Sequence, residues 1–268
     1  SGLGALVVSV SIMFSPLLGT IAAQRLNGER IFQDLGATPV WSGWLLAAPL
    51  FALGMMGAGV AVSALFPGVS FDPSVDTILA LAGDRLSPEA LAAARQQLEA
   101  LPVHPAWLAI PSGIAAGMTL NALAAFGEEI GWRGLLFREL RDRGFWTSSW
   151  IVGLLWGLWH APLILLGHNY PDDPIRGILL FTVYCVLMSP LYTWIRDRSR
   201  SVWGAAFLHG TFNGLAGIPM LVIIGGSALL TAPTGLASVL AMGILNLILW
   251  IAVRPALHHD AARSRAAM

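Results

Sequence analysis

Seven stretches of the chain are apolar for long enough to cross a bilayer. A hydrocarbon layer about 30 Å thick takes roughly 20 helical residues. Runs of that order occur at Leu3–Ala23, Trp41–Phe66, Trp107 to about Phe137, Ser149–Gly167, Gly177–Ile195, Val202 to about Leu230 and Gly235–Val253. The sixth is interrupted at Gly217-Ile218-Pro219 and reads as one span or two pieces, giving seven or eight in all. The expected fold is all-α: a polytopic transmembrane helical bundle forming a single membrane-embedded domain over 1–268. The first run continues to about Ala23 with no basic segment ahead of it, so it reads as a span rather than a cleaved leader. Trp41, Trp44, Trp146 and Trp150 open runs, and Trp194 and Trp250 close them, the places that interfacial aromatic belts occupy.

One sizeable extramembrane segment, residues 67–104, separates the second run from the motif-bearing region 105–220. Within it, Ser87-Pro88-Glu89 has the form of a helix start: an N-cap, a proline at the first helical position and an acid in the first turn. Leu91, Ala94, Leu98 and Leu101 then recur at helical spacing. That pattern predicts a surface helix, lying on the bilayer or packed on the bundle, rather than a lid.

Composition agrees with the bilayer. Hydrophobic residues make up 56% of the chain and charged ones 11%, with a mean hydropathy of +0.71. A soluble domain carries about 25% charged residues, so this chain has too few to solvate a globule of its size. The formal net charge of zero gives no hint of nucleic-acid binding. All 15 basic residues are Arg, which reads as coding bias of a bacterial kind. Arg25, Arg30, Arg138, Arg141, Arg143, Arg196, Arg198, Arg200, Arg254, Arg263 and Arg265 fall on one side under seven-span alternation. The other side receives Arg85, Arg95 and Arg176 among the acids Asp72, Asp76, Asp84, Glu89, Glu99, Asp172 and Asp173. The positive-inside rule then places the Arg-rich ends in the cytoplasm. Cys185, the single cysteine, lies in an apolar run and reads as a small core residue.

Ionisable groups inside spans cost roughly 2.5–3.5 kcal/mol each on insertion scales and are functional candidates by default. Three spans carry them: Glu128, Glu129 and Arg133 in the third, His160 in the fourth, His209 with Asn213 in the sixth. Counted along each helix from its Arg-rich end, all lie roughly 10–17 Å deep, one layer, which implies a cavity opening toward the cytoplasmic half. Glu129 and Arg133, at i,i+4, share a face and lower each other's burial cost. Glu128 points about 100° away from Glu129 and is free to face a cavity. His209 and Asn213 also share a face, and Gly127, Gly131, Gly134, Gly157 and Gly210 allow close helix approach. Bland readings compete: a lone His or Asn in a span is often interhelical glue, and Trp156, Trp159 and Phe212 read as packing. His104, His168, His258 and His259 lie outside the spans and carry no assigned role.

Taken in order, Glu128-Glu129-x-x-x-Arg133, Trp156-x-x-x-His160 and His209-x-x-x-Asn213 resemble the motifs of the CAAX protease and bacteriocin-processing (Abi) family of intramembrane endopeptidases. Trp156 stands where Phe is usual. The resemblance implies hydrolysis of a peptide bond within the membrane. By it, Glu128 is the general base that activates water and His160 positions that water or shares its proton. His209 and Asn213 stabilise the oxyanion, and Glu129 with Arg133 is a supporting pair. A zinc version, with Glu129, His160 and His209 as ligands, is legal by donor count, although the His-Glu-x-x-His helix motif is lacking. The expectation is a metal-independent enzyme acting on a peptide or protein partner in the bilayer. Family members trim prenylated tails or process peptide leaders, and a bacterial origin favours the latter. A proton-coupled transporter using the buried Glu and His, or a non-catalytic scaffold or immunity protein of the same fold, are the alternatives.

Overall fold

In the computed structural model each of the seven apolar runs is built on helix. The structure describes residues 2–82 and 86–266, with side chains placed for 11–82 and 86–252. Asp84 and Arg85, and the side chains of Arg254, His258, His259, Arg263 and Arg265, lie outside the described residues.

The chain runs through α1 (Gly2–Leu26), α2 (Gly43–Ser63), α3 (Val75–Ala80), α4 (Pro88–Glu99), α5 (Pro105–Gly117) and α6 (Leu120–Glu129). A π-helical turn, Ile130–Leu136, leads into α7 (Phe137–Leu140). Then come α8 (Phe145–Trp159), α9 (Ala161–Leu165), α10 (Pro174–Ser199), α11 (Val202–Leu215), α12 (Ile218–Val222) and α13 (Leu236–Ala266). Local chemistry sets many of the ends. Ser87 caps α4 by accepting the Ala90 N–H at 3.3 Å. Asp173 caps α10 ahead of Pro174, and Ser201 caps α11 by accepting the Trp203 N–H at 3.2 Å. Arg200, in the left-handed region at φ 56°, turns the chain out of α10.

Among the described residues four helices are long and apolar enough to span: Gly43–Ser63, Phe145–Leu165, Pro174–Ser199 and Val202–Val222. A fifth is made by Pro105–Gly117 with Leu120–Arg143, bent by 53°. The structure thus establishes an all-α integral membrane protein, with a smaller count of qualifying spans than the seven or eight that the apolar runs predict. The difference lies in a break within the third run and in the bounds of the described side chains, which cut into the first and last runs. The third run is interrupted beside Gly117, where Thr119 Oγ1 back-bonds to the Ala115 carbonyl at 2.7 Å. The last run lies on α13, of which only Leu236–Ala252 has described side chains.

The 67–104 segment carries α3 and α4. Residues Ser70 and Phe71 pair antiparallel with Ile224 and Ile223, a two-residue ladder that ties this segment to the end of α12. No residue of α4 is buried, in keeping with a surface helix.

Glycines set the helix spacing around the centre of the bundle. A Cβ on Gly157 would stand 2.6 Å from Thr182 Cα of α10, and one on Gly210 would stand 2.6 Å from the Gly117 carbonyl oxygen. Gly127 and Gly131 abut Phe14 and Pro16 of α1, whereas Gly134 faces side chains only, Ile130 and Leu35. The Arg-rich end of the bundle is plugged by the loop after α1. Leu35 is fully buried against Ile130 and Val202, and Arg196 Nε donates to the Arg133 carbonyl at 3.1 Å. Trp203 Nε1 donates to the Ala37 carbonyl at 2.9 Å and Val202 N–H to that of Gly36 at 2.9 Å. The loop is in turn clamped by Arg138, whose two terminal nitrogens reach Glu29 at 2.7 and 3.1 Å.

Candidate active site

The doublet Glu128-Glu129 ends α6 immediately before the π turn. The Phe137 N–H reaches back five residues to the Trp132 carbonyl, the wider bonding that defines such a turn. The two carboxylates separate into different surroundings. Glu129 is fully buried; Arg133 Nη1 lies 3.1 Å from each of its oxygens, and His209 Nδ1 is 2.8 Å from Oε1. Arg133 is fully buried too, its guanidinium 4.6 Å from the Trp156 ring centre and 4.9 Å from that of Tyr192. Glu129, Arg133 and His209 therefore form one hydrogen-bonded unit beneath an aromatic roof.

Glu128 has no such cation in contact. Its Oε2 accepts the Trp156 indole N–H at 3.1 Å. One turn further along, His160 Nδ1 sits 2.8 Å from the Trp156 carbonyl. Because a carbonyl only accepts, Nδ1 carries the hydrogen, and Nε2 is the ring nitrogen left free. The imidazole is wedged by Trp159 and Phe181, with ring centres at 4.8 and 4.7 Å. Trp156 therefore holds both members of the pair, one through its side chain and one through its backbone.

Glu128, His160, His209 and Asn213 line a single cavity of about 340 Å³. Asn213 is exposed in it and, among the described residues, makes no side-chain hydrogen bond. Tyr184 and Tyr192 also line it, their buried hydroxyls without a partner among the described residues. Glu129 and Arg133 stand behind the wall. As to a metal, Glu129 is already engaged by Arg133 and His209, and among the described residues no three His, Cys, Asp or Glu side chains group to hold an ion.

The lining of the cavity extends beyond the residues singled out in the sequence. Its lining runs from Glu128, Trp156 and Tyr192 past His160 and Asn213 to His168, Asn169, Pro233 and Thr234. Those last four belong to the loops before α10 and α13, at the Arg-poor end of the bundle. On the Arg-rich side the site is backed by Arg133 and by Leu35 of the loop after α1, both fully buried. His168, given no role in the sequence, thus lines the same cavity. Tyr170 latches these two loops together, its hydroxyl donating to the Thr234 carbonyl at 2.7 Å. Trp156, read as packing, is a partner of Glu128; its position four residues before His160, on the same face, was the available signal. Asn121 was passed over as well: its amide donates to the Gly210 carbonyl at 3.2 Å and pins α6 to α11.

The class these features define is a polytopic helical membrane protein with a buried Glu, His and Asn cavity. Residues 110–215 match the family described as type II CAAX prenyl endopeptidase Rce1-like. A CAAX prenyl protease 2 from Methanococcus maripaludis is 34% identical over 100 residues, which is 35% of this chain and 37% of that protein. The match therefore spans well under half the length of the curated relative, and the family match covers the segment that carries all three motifs.

Proposed function

We propose that the protein is an intramembrane endopeptidase in which Glu128 activates the attacking water. The observation that carries this reading is the partition of the two carboxylates. Glu129 is saturated by Arg133 and His209, while Glu128 faces the same 340 Å³ cavity as the free nitrogen of His160. A water between Glu128 and His160 gives its proton to the carboxylate and its oxygen to the scissile carbonyl carbon. The oxyanion then accepts hydrogen bonds from the Asn213 amide and from Nε2–H of His209 in its imidazolium form, whose Nδ1–H donates to Glu129. Collapse breaks the C–N bond, and the proton on Glu128 passes to the leaving amine. The chemistry needs no metal, in keeping with the engagement of Glu129. Substrate reaches the site through the Arg-poor mouth, past His168 and Asn169.

The relative's name ties that protein to prenylated CAAX tails. For this chain the substrate class is a peptide or membrane-anchored protein segment, in a bacterial cytoplasmic membrane. The test is cleavage of a quenched peptide library by purified protein in nanodiscs, beside Glu128→Gln and His160→Ala, with and without a zinc chelator. Cleavage by wild type that both variants lose supports the reading, and insensitivity to chelator supports its metal-free form. Equal cleavage by all three proteins sinks it.

A further inference from the structure

A second cavity lies on the outside of the bundle and shares no lining residue with the first. It is a groove of about 450 Å³ between α2, α10 and α13, floored by Leu208 of α11. Its lining is apolar throughout, and Leu208 and Ile195 at its bottom are core residues almost without exposure. A fissure this deep reaches past the ordinary helix surface into the bundle.

What distinguishes it is its Arg-rich end. Trp194 and Phe51 line the groove there, and Trp44 packs edge-on against Trp194 with ring centres at 5.1 Å. The Arg198 guanidinium lies over both indoles, 5.9 Å from the Trp44 centre and 6.0 Å from the Trp194 centre. Arg198 is exposed and, among the described residues, has no carboxylate within ion-pair distance. A tryptophan pair marks the interfacial level of a bilayer, and stacking on it holds the cation at that level. We infer that this groove binds an anionic phospholipid, one acyl chain along the groove and the phosphate on Arg198. A cation stacked at the end of an apolar slot matches a molecule with a negative head and a long tail. A zwitterionic lipid would place its own cation beside the guanidinium.

The structure supplies two separable probes. Arg198→Gln removes the charge. Gly54→Leu puts a side chain on the wall of the slot, at a position where an added Cβ meets nothing within 4 Å. Purified full-length protein in mixed phosphatidylglycerol and phosphatidylcholine nanodiscs would be released into native mass spectrometry and the retained lipids weighed. Wild type should retain one phosphatidylglycerol at least severalfold more often than phosphatidylcholine. Arg198→Gln should lower phosphatidylglycerol to the phosphatidylcholine level, Gly54→Leu should lower both, and Arg141→Gln, an exposed arginine at the same end, should change neither. Equal retention of the two lipids by wild type overturns the inference. So does equal loss on substituting Arg198 and Arg141, or undiminished retention by Gly54→Leu.

Discussion

Trp156 donates its indole N–H to Glu128 Oε2 at 3.1 Å while its own carbonyl accepts from His160 Nδ1 at 2.8 Å. The two groups proposed to hold the attacking water are thus indexed to one another by a single residue. Trp156→Phe keeps the ring beside Arg133 and keeps the backbone carbonyl, but removes the indole donor. A hydrogen bond to a charged partner contributes about 1.5–3 kcal/mol. The variant should therefore fold normally and lose roughly tenfold or more in kcat, with KM little changed. Unaltered kcat would show that Glu128 is positioned by something else.

The buried pair behind the wall should behave differently from Glu128. Removing one partner of a fully buried ion pair leaves an uncompensated charge and costs about 3–5 kcal/mol. Arg133→Gln should accordingly lose thermal stability and yield along with activity. Glu128→Gln should lose activity at an unchanged Tm. The double variant Glu129→Gln with Arg133→Gln should recover much of the stability, because neither charge is then stranded, and none of the activity, because His209 loses its anchor. Melting in detergent beside a cleavage assay separates these outcomes.

Close packing at glycine gives a third expectation. A methyl at Gly157 would meet α10 backbone at 2.6 Å, so Gly157→Ala must push α8 away from α10. Overpacking of this kind costs about 1–3 kcal/mol, and His160, three residues on, moves with the helix. Gly54→Ala, which meets nothing, is the matched control. Gly157→Ala should lower both Tm and kcat and Gly54→Ala neither.

How much of this was legible in the sequence depends on the kind of information. Apolar run length gave the helices, because crossing a bilayer is a demand on composition alone. The rarity of charge in such runs singled out Glu128, Glu129, Arg133, His160 and His209. The i,i+4 spacing paired Glu129 with Arg133 as the structure does. The bend of the third span was less legible, because a break beside Gly117 depends on what the helix packs against. Two site features were out of reach for the same reason. The tie from Glu129 to His209 joins residues 80 positions apart, and the plug under Arg133 is made by a polar-looking loop, Asn27 to Thr38, whose Leu35 buries completely only in context.

That plug carries a pH dependence. Glu29 is held below the ordinary carboxylate value of 4.5, first by its hydrogen bond from Arg138 and then by that from Gln24. A carboxyl depressed in the folded state stabilises it above the unfolded value, and the contribution fades as pH falls through the folded one. Glu29→Gln should therefore lower Tm at neutral pH, and the gap to wild type should close as the buffer is taken well below pH 4.5. A gap that stays constant across that range would mean the clamp acts through packing rather than charge.

The direction of access can be tested without knowing the substrate. Asn169 lines the cavity at the Arg-poor mouth, and Arg141 is exposed at the plugged end. Cys185, fully buried, leaves the wild-type protein without a reactive thiol among the described residues. A bulky maleimide on Asn169→Cys should block cleavage, whereas the same label on Arg141→Cys should leave it intact. The reverse pattern would reopen the plugged end as the entrance. Applied to intact cells, an impermeant form of the reagent adds the compartment. Positive-inside orientation predicts that Asn169→Cys is labelled from outside and Arg141→Cys only after lysis. Labelling of Arg141→Cys from outside would instead turn the mouth toward the cytoplasm, and the arginine distribution would then reflect something other than topology.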